Sequence, residues 1–229
     1  MASMAYRTYV GPGKMYDIIG ASQFALAVSC GLREQHFLLD FGCGSLRGGR
    51  FFIPYLQAGH YYAIEPNEWL VTQAVHEELG EDILTVKAPH FTAVDDFTVP
   101  FTVSFDLIVA QSIFTHTGKD LMRKLFASLA GAVKKEGLIL ATFFLDSTDE
   151  ERNGWFYFDN LPDGESVLAA YRPETVRAFA ADADLYAQHI HFWHPAGQQW
   201  FLFSPSAQRL PTKEQAEHFY GLNILPSLP

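Results

Sequence analysis

Residues 37–52 read "FLLDFGCGSLRGGRFF". An apolar run ends in an acid, Asp40, and four glycines follow within eight residues: Gly42, Gly44, Gly48 and Gly49. A short continuous apolar run bounded by turn residues reads as a buried strand. Glycine lets backbone approach a ligand closely and permits positive φ. A glycine turn between a strand and a helix therefore makes a nucleotide cradle. The dinucleotide fingerprint G-x-G-x-x-G is matched at Gly42 and Gly44, but Arg47 stands where its third glycine belongs. Asp40 is a second clue. A carboxylate there repels a pyrophosphate and favours a ligand carrying an ammonium or sulfonium. Glu65 is a third, since an acid at the end of the next strand accepts both hydroxyls of a ribose. Glu65 alone does not choose the ligand, because the NAD fold places an acid in the same way at similar spacing.

Outward from this stretch, strands and helices alternate. "KMYDIIGASQFALAVSCGLR" (14–33) reads as one or two helices ended by Gly31. "RFFIPYLQAG" (50–59) is a short helix broken near Pro54. "HYYAIE" (60–65) is a second strand, and "NEWLVTQAVHEELG" (67–80) a helix with Asn67 as N-cap and Gly80 as its stop. "DILTVK" (82–87) reads as the third strand. The stretch after it is irregular, punctuated by Pro89 and Pro100. "FDLIVAQS" (105–112) is the fourth strand, 118–137 a helix ended by Gly137, and "LILATFF" the fifth strand. "RPETVRAFAADADL" (172–185) is a helix with Pro173 in its first turn. "YAQHIHFWHPAGQQWFLFS" is a hairpin turning at "HPAGQ". The alternation predicts an α/β fold: a mostly parallel sheet with helices on both faces and a C-terminal antiparallel hairpin. Ligands of such sheets bind beyond the carboxyl ends of the strands. Asp40, Glu65, Asp95, Asp96 and "QSIFTH" (111–116) all fall at such ends.

The 229 residues, 48% of them hydrophobic, suffice for one packed core. Sixteen basic against 26 acidic residues give a net charge of −10, which repels phosphate backbones and argues against nucleic acid. The first ten residues lack the pattern of a signal peptide, and no apolar run approaches the ~20 residues of a membrane span. Cys30 and Cys43 form no framework and read as free thiols of a reducing cytoplasm. In "HIHFWH", His189 and His191 would share a strand face and His194 the other, with no Cys or acid cluster at ligand spacing, so no metal is expected. An aromatic content of 15% is compatible with a homodimer but does not reveal one.

"LLDFGCGS", "YYAIEPN", "FDLIVAQSIFTHTG" and "LAGAVKKEGLILATF" resemble, in order and spacing, successive motifs of the class I S-adenosylmethionine (SAM)-dependent methyltransferases, above all the compact bacterial stand-alone members. The resemblance spans residues 36–145 and departs from the family at Leu46, where a third glycine is usual. It implies a seven-stranded sheet in one domain, with a helical cap (1–35), a SAM-binding core (36–145) and an acceptor lid (146–172) that carries Trp155, Phe156, Tyr157, Phe158 and Tyr171. It implies that Gly42, Cys43, Gly44 and Ser45 form the cofactor loop beside the methionine part. Asp40 would order that loop and reach the ammonium, directly or through water. Arg47 would pair with the methionine carboxylate, and Glu65 would take the ribose hydroxyls. Pro66 and Asn67 would edge the adenine, with Asp96 or Asp95 and Phe97 on its other side. Gln111 and Ser112 would lie near the methyl group. Tyr9 and Tyr16 are candidate contacts from the N-terminal segment. His116 is the candidate general base; the competing reading is a histidine that packs and fixes its loop.

The function so implied is methyl transfer from SAM to a small acceptor (a metabolite, sugar or natural-product intermediate), with S-adenosylhomocysteine (SAH) as the other product. An oxygen acceptor is preferred because His116 would then have a proton to take. The alternatives are an NAD-dependent oxidoreductase and a non-catalytic SAM-binding partner protein.

Overall fold

A computed structural model of the chain describes residues 5–153, 167–217 and 219. Its strands are β1 (Leu38–Phe41), β2 (Tyr61–Ile64), β3 (His90–Thr92), β4 (Phe105–Ala110), β5 (Val133–Leu145), β6 (Glu150–Asn153), β7 (Val167–Tyr171), β8 (Tyr186–Ile190) and β9 (Gln199–Ser204). Its α-helices are α1 (Ala5–Tyr9), α2 (Tyr16–Ser29), α3 (Gly49–Tyr55), α4 (Glu68–Ala74), α5 (Ile83–Val86), α6 (Lys119–Ala132), α7 (Pro173–Asp182) and α8 (Lys213–Glu217). β3, β2, β1, β4 and β5 pair side by side and parallel; β9 joins β5 antiparallel and β8 joins β9. This is a seven-stranded, mostly parallel sheet closed by the expected hairpin. Two further strands fork from it. β5 is 13 residues long, and its last residues, Phe144 and Leu145, pair with β7, which pairs in turn with β6.

Alternation along each strand builds two cores. Leu38, Tyr61, Leu107 and Leu140 pack on one face with Phe52 and Ile53 of α3 and Leu26 of α2. Leu39, Ile108 and Ile139 pack on the other with Leu125 and Phe126 of α6 and Val176 of α7. Successive side chains point to opposite faces of a strand, and helices on both faces make a continuous apolar run such as "LLDF" the right composition for β1. Among the described residues no helix is long and apolar enough to cross a membrane.

Three boundaries differ from the expectation. Residues 82–87 are not the third strand; α5 occupies Ile83–Val86 and β3 follows at His90–Thr92. After α4 the chain runs through a wide turn, Val75–Leu79, and Gly80 breaks it at φ 85°. The β-branched side chains then have no sheet face to receive them: Val86 is 61% exposed. The slot beside β2 is taken by His90, Phe91 and Thr92. The helix expected over 118–137 ends at Ala132, because Val133 already pairs with Phe105 in the sheet. Gly137 serves that pairing rather than a helix stop, since a Cβ there would stand 2.8 Å from the Phe105 carbonyl oxygen. The hairpin loop is wider than "HPAGQ" and runs from 191 to 198.

The aromatic run 155–158 of the expected lid lies outside the described residues. Tyr171 is fully buried in β7, where its hydroxyl donates to the Thr117 carbonyl (2.7 Å). It props the core.

Charged side chains help to fasten the N-terminal segment over the sheet. Glu78 accepts from the Tyr6 hydroxyl (2.7 Å), Arg7 Nε (2.6 Å) and Arg50 (3.2 Å), and Arg50 also reaches Asp17 (2.6 Å).

Candidate active site

A cavity of about 850 Å³ opens at the carboxyl ends of β1, β2 and β4, within the size range of small-molecule sites. Its floor is the turn between β1 and α3. Gly42 and Gly44 sit at φ 72° and 54°, a region that glycine enters at no steric cost. Gly42 and Cys43 donate their N–H groups to the Ile64 carbonyl (2.9 and 3.1 Å), which ties the turn to the end of β2. A Cβ on Gly44 would stand 2.7 Å from Val10 Cγ1. Gly44→Ala is therefore expected to push the N-terminal segment off the turn and to weaken cofactor binding about tenfold, measured by titration calorimetry. Leu46, at the family's glycine position, keeps the same left-handed backbone (φ 54°) with its side chain fully buried in the core. A leucine holds this conformation at some cost in strain.

Glu65 closes the turn from the side. Its Oε2 accepts from the Gly44 N–H (2.9 Å), and its Oε1 accepts from the Asn67 N–H (2.8 Å) and side-chain amide (2.9 Å). Pro66 and Asn67 line the cavity beside it. Arg47 reaches the cavity from the start of α3 and donates to the Val10 carbonyl (2.7 Å). Its Nε is buried with no partner among the described residues. Burial lowers its pKa to about 10, against the pull of Tyr16 and Asp40, so it is a cation at neutral pH.

Not every expected residue reaches the cavity. Gly42, Cys43, Gly44, Arg47, Glu65, Pro66, Asn67, Asp95, Phe97, Gln111, Ser112 and His116 line it; Asp40, Ser45 and Asp96 do not. Asp40 is 3% exposed beneath the turn, on the face of β1 that carries Leu38, and accepts the Tyr61 hydroxyl (2.8 Å). Burial raises its pKa to about 7, with Tyr61 and Arg47 opposing and Glu65 adding. Ser45 is fully buried, and its carbonyl takes the Tyr16 hydroxyl (2.6 Å). Tyr16 therefore props the loop from behind, whereas Tyr9 lines the cavity. Asp96 is exposed and folds back on Thr98, accepting its N–H (3.0 Å) and hydroxyl (2.6 Å). Asp95 is the acid of that pair on the wall, next to Phe97, whose ring stacks on Phe41 (centroids 6.5 Å apart).

Ser112, just past β4, also sits at positive φ (62°), and its N–H donates to Thr142 Oγ1 (2.7 Å). His116 ends the short turn Phe114–His116. Loop 191–198 supplies His194 to the wall, and with it Pro195, Ala196 and Gln198, which the sequence reading did not assign. His194 lies 3.1 Å from the Gln111 amide, and Gln198 exchanges hydrogen bonds with the Ser112 hydroxyl (2.9 and 3.1 Å). The topology explains their position. β9 runs antiparallel to β5 and begins opposite Phe143, so the loop that enters it stands where the parallel strands end.

Residues 39–139 match a family model described as a methyltransferase domain. Over those residues the chain is similar to a methyltransferase domain, and its sheet is that of the class I methyltransferase fold. That match favours the methyltransferase reading over the NAD-dependent oxidoreductase one. No curated protein matches the chain in sequence. Among solved structures, the chain resembles DesVI of Streptomyces venezuelae, with 16% identity over 90% of this chain and 98% of that one (TM-score 0.61). It also resembles SAM-bound CalS10 of Micromonospora echinaspora, an amino pentose methyltransferase, with 17% identity over 88% and 95% (TM-score 0.61). A third is the 1,6-didemethyltoxoflavin-N1-methyltransferase of Burkholderia thailandensis, with 14% identity over 88% and 86% (TM-score 0.57). At these identities the likeness is one of fold.

The donor set of this cavity fits SAM. A glycine turn that a Cβ would fill admits the methionine part. Arg47, a cation that reaches the cavity and whose Nε–H has no partner among the described residues, suits a carboxylate. Glu65, an ionisable acceptor fixed at the end of β2, suits a ribose diol.

Proposed function

We propose that this chain is an enzyme that transfers the methyl group of SAM to a small-molecule acceptor and releases SAH. The observation that carries the reading is the bond from the Gly44 N–H to Glu65, which joins the methionine cradle to the ribose acceptor in one cavity with Arg47. When bound, SAM supplies an electrophilic methyl on a cationic sulfur. The chain's own residues bind and orient: Gly42, Cys43, Gly44 and Arg47 the methionine part, Glu65 the ribose, and Pro66, Asn67, Asp95 and Phe97 the adenine. In-line displacement draws much of its rate from such positioning. Residues 5–35 cap the cavity through Tyr9, Val10, Gly11, Pro12, Met15 and Ile19, and 36–145 hold the cofactor.

The acceptor would enter between His116, Thr117, Phe144, Leu168 and loop 191–198. A cavity of this size, a net charge of −10 and structural neighbours named for a sugar and a toxoflavin precursor support a metabolite or natural-product intermediate over nucleic acid. An oxygen acceptor gives His116 the role of general base. His116→Ala is then expected to lower turnover about a hundredfold, the low end of what a positioned base contributes, with SAH affinity unchanged. Unchanged turnover would make His116 a packing residue.

The reading is tested by titrating the purified chain with SAH, with NAD in a parallel run. Micromolar binding of SAH alone is the expected result. Binding of neither, or of NAD in preference, would refute it. Release of SAH from SAM with a panel of small hydroxylated and amine acceptors then separates an enzyme from a protein that only binds the cofactor.

A further inference from the structure

Where the end of β4 meets loop 191–198, the hydrogen bonds determine which ring nitrogen of His194 carries the proton. The Ala196 N–H donates to His194 Nδ1 (3.2 Å). A ring nitrogen that accepts has no hydrogen, so a neutral His194 carries its proton on Nε2. That nitrogen lies 3.1 Å from the Gln111 amide. An N–H needs an oxygen opposite it, and the two ends of an amide have the same shape. Gln111 therefore turns its carbonyl to His194. Its NH2 then occupies the buried position that has no partner among the described residues. The neighbouring Ser112 is clamped in parallel by Thr142 and Gln198. His194 is 5% exposed, and burial pushes its pKa down to about 3, with Arg47 as the charged group adding to the effect. The ring is neutral throughout the physiological range.

We infer that His194 is a positioning residue of the methyl-transfer end: its Nε2–H fixes the Gln111 amide, and its uncharged ring gives the cationic sulfonium a wall that does not repel it. The inference rests on the reading that this cavity holds SAM. It extends that reading, because it predicts discrimination between SAM, which is charged at sulfur, and SAH, which is not. A cation introduced at this position opposes the first ligand and is nearly indifferent to the second.

Two measurements test it. Nitrogen-15 spectra of the labelled wild-type chain are expected to show His194 as the Nε2–H tautomer, unchanged from pH 5 to 8. His194→Lys is expected to lower SAM affinity at least tenfold more than SAH affinity, and His194→Gln, which can still donate to Gln111, to restore the wild-type ratio. An Nδ1–H tautomer, titration within that window, or equal losses of both ligands in His194→Lys would overturn the inference. Should His194→Lys fail to fold, the spectra of the wild-type chain decide. A wild-type chain that binds neither SAM nor SAH would overturn the cofactor reading itself, and this inference with it.

Discussion

Glu65→Ala is expected to weaken SAH binding at least a hundredfold, with the loss read directly by titration calorimetry. The carboxylate has two tasks. In the cofactor-free chain it accepts three N–H groups, from Gly44, from the Asn67 backbone and from the Asn67 side chain. With cofactor bound it would accept the ribose hydroxyls as well. A hydrogen bond to a charged group contributes about 1.5–3 kcal/mol, and a hundredfold loss is ~2.7 kcal/mol. One lost ribose bond supplies most of that, and the release of Gly44 from β2 adds the cost of re-ordering the cradle. Glu65→Gln discriminates further. Both oxygens of Glu65 face N–H donors, so an amide must set its own NH2 against one of them. The isosteric variant is therefore expected to bind SAH nearly as poorly as the alanine variant. Near-normal affinity in both would mean that the ribose lies elsewhere and that Glu65 only ties the loop.

The contrast between legible and illegible parts of this chain has a physical cause. Asp40, Glu65 and the glycine turn could be read because strand-end acids and glycines mark positions where backbone geometry, not packing, sets the residue. Side-chain direction beyond the strand ends could not. Asp40 and Ser45 belong to the right loop but point beneath it, and parity along β1 decides this only once the sheet's faces are known. His194 was assigned a face by counting in twos from His189, but β8 stops at Ile190 and the parity does not continue through the loop. "DILTVK" has strand composition, yet Gly80 delivers it as a turn of helix on the surface. Asp96 loses its place to Asp95 through a local turn onto Thr98. In each case tertiary context overrides a propensity that is only local.

SAH affinity is expected to rise with pH, by up to tenfold per unit below pH 7 and with little further change above it, and Asp40 is the group responsible. Its carboxyl is buried under Gly42 and Gly44 with Tyr61 as its hydrogen-bond donor, Arg47 attracting and Glu65 repelling its charge, and its pKa is raised to about 7 from an ordinary 3.8. A folded-state pKa above the unfolded one means that the native chain binds the extra proton between about pH 4 and 7. The neutral acid's contribution is fully present below the unfolded pKa and is lost as pH rises through 7. Three units correspond to about 4 kcal/mol of stability lost across that window. A ligand ammonium over the turn favours the ionised form, so binding near pH 6 should expel close to one proton. Calorimetry in two buffers of different ionisation enthalpy measures that proton directly. Asp40→Asn keeps an oxygen for Tyr61 and cannot ionise. It is expected to raise the melting temperature of the cofactor-free chain at pH 8, to abolish the proton release, and to bind SAH at least tenfold more weakly at that pH. A pH-independent wild-type affinity would show that Asp40 orders the turn without sensing the ligand's charge.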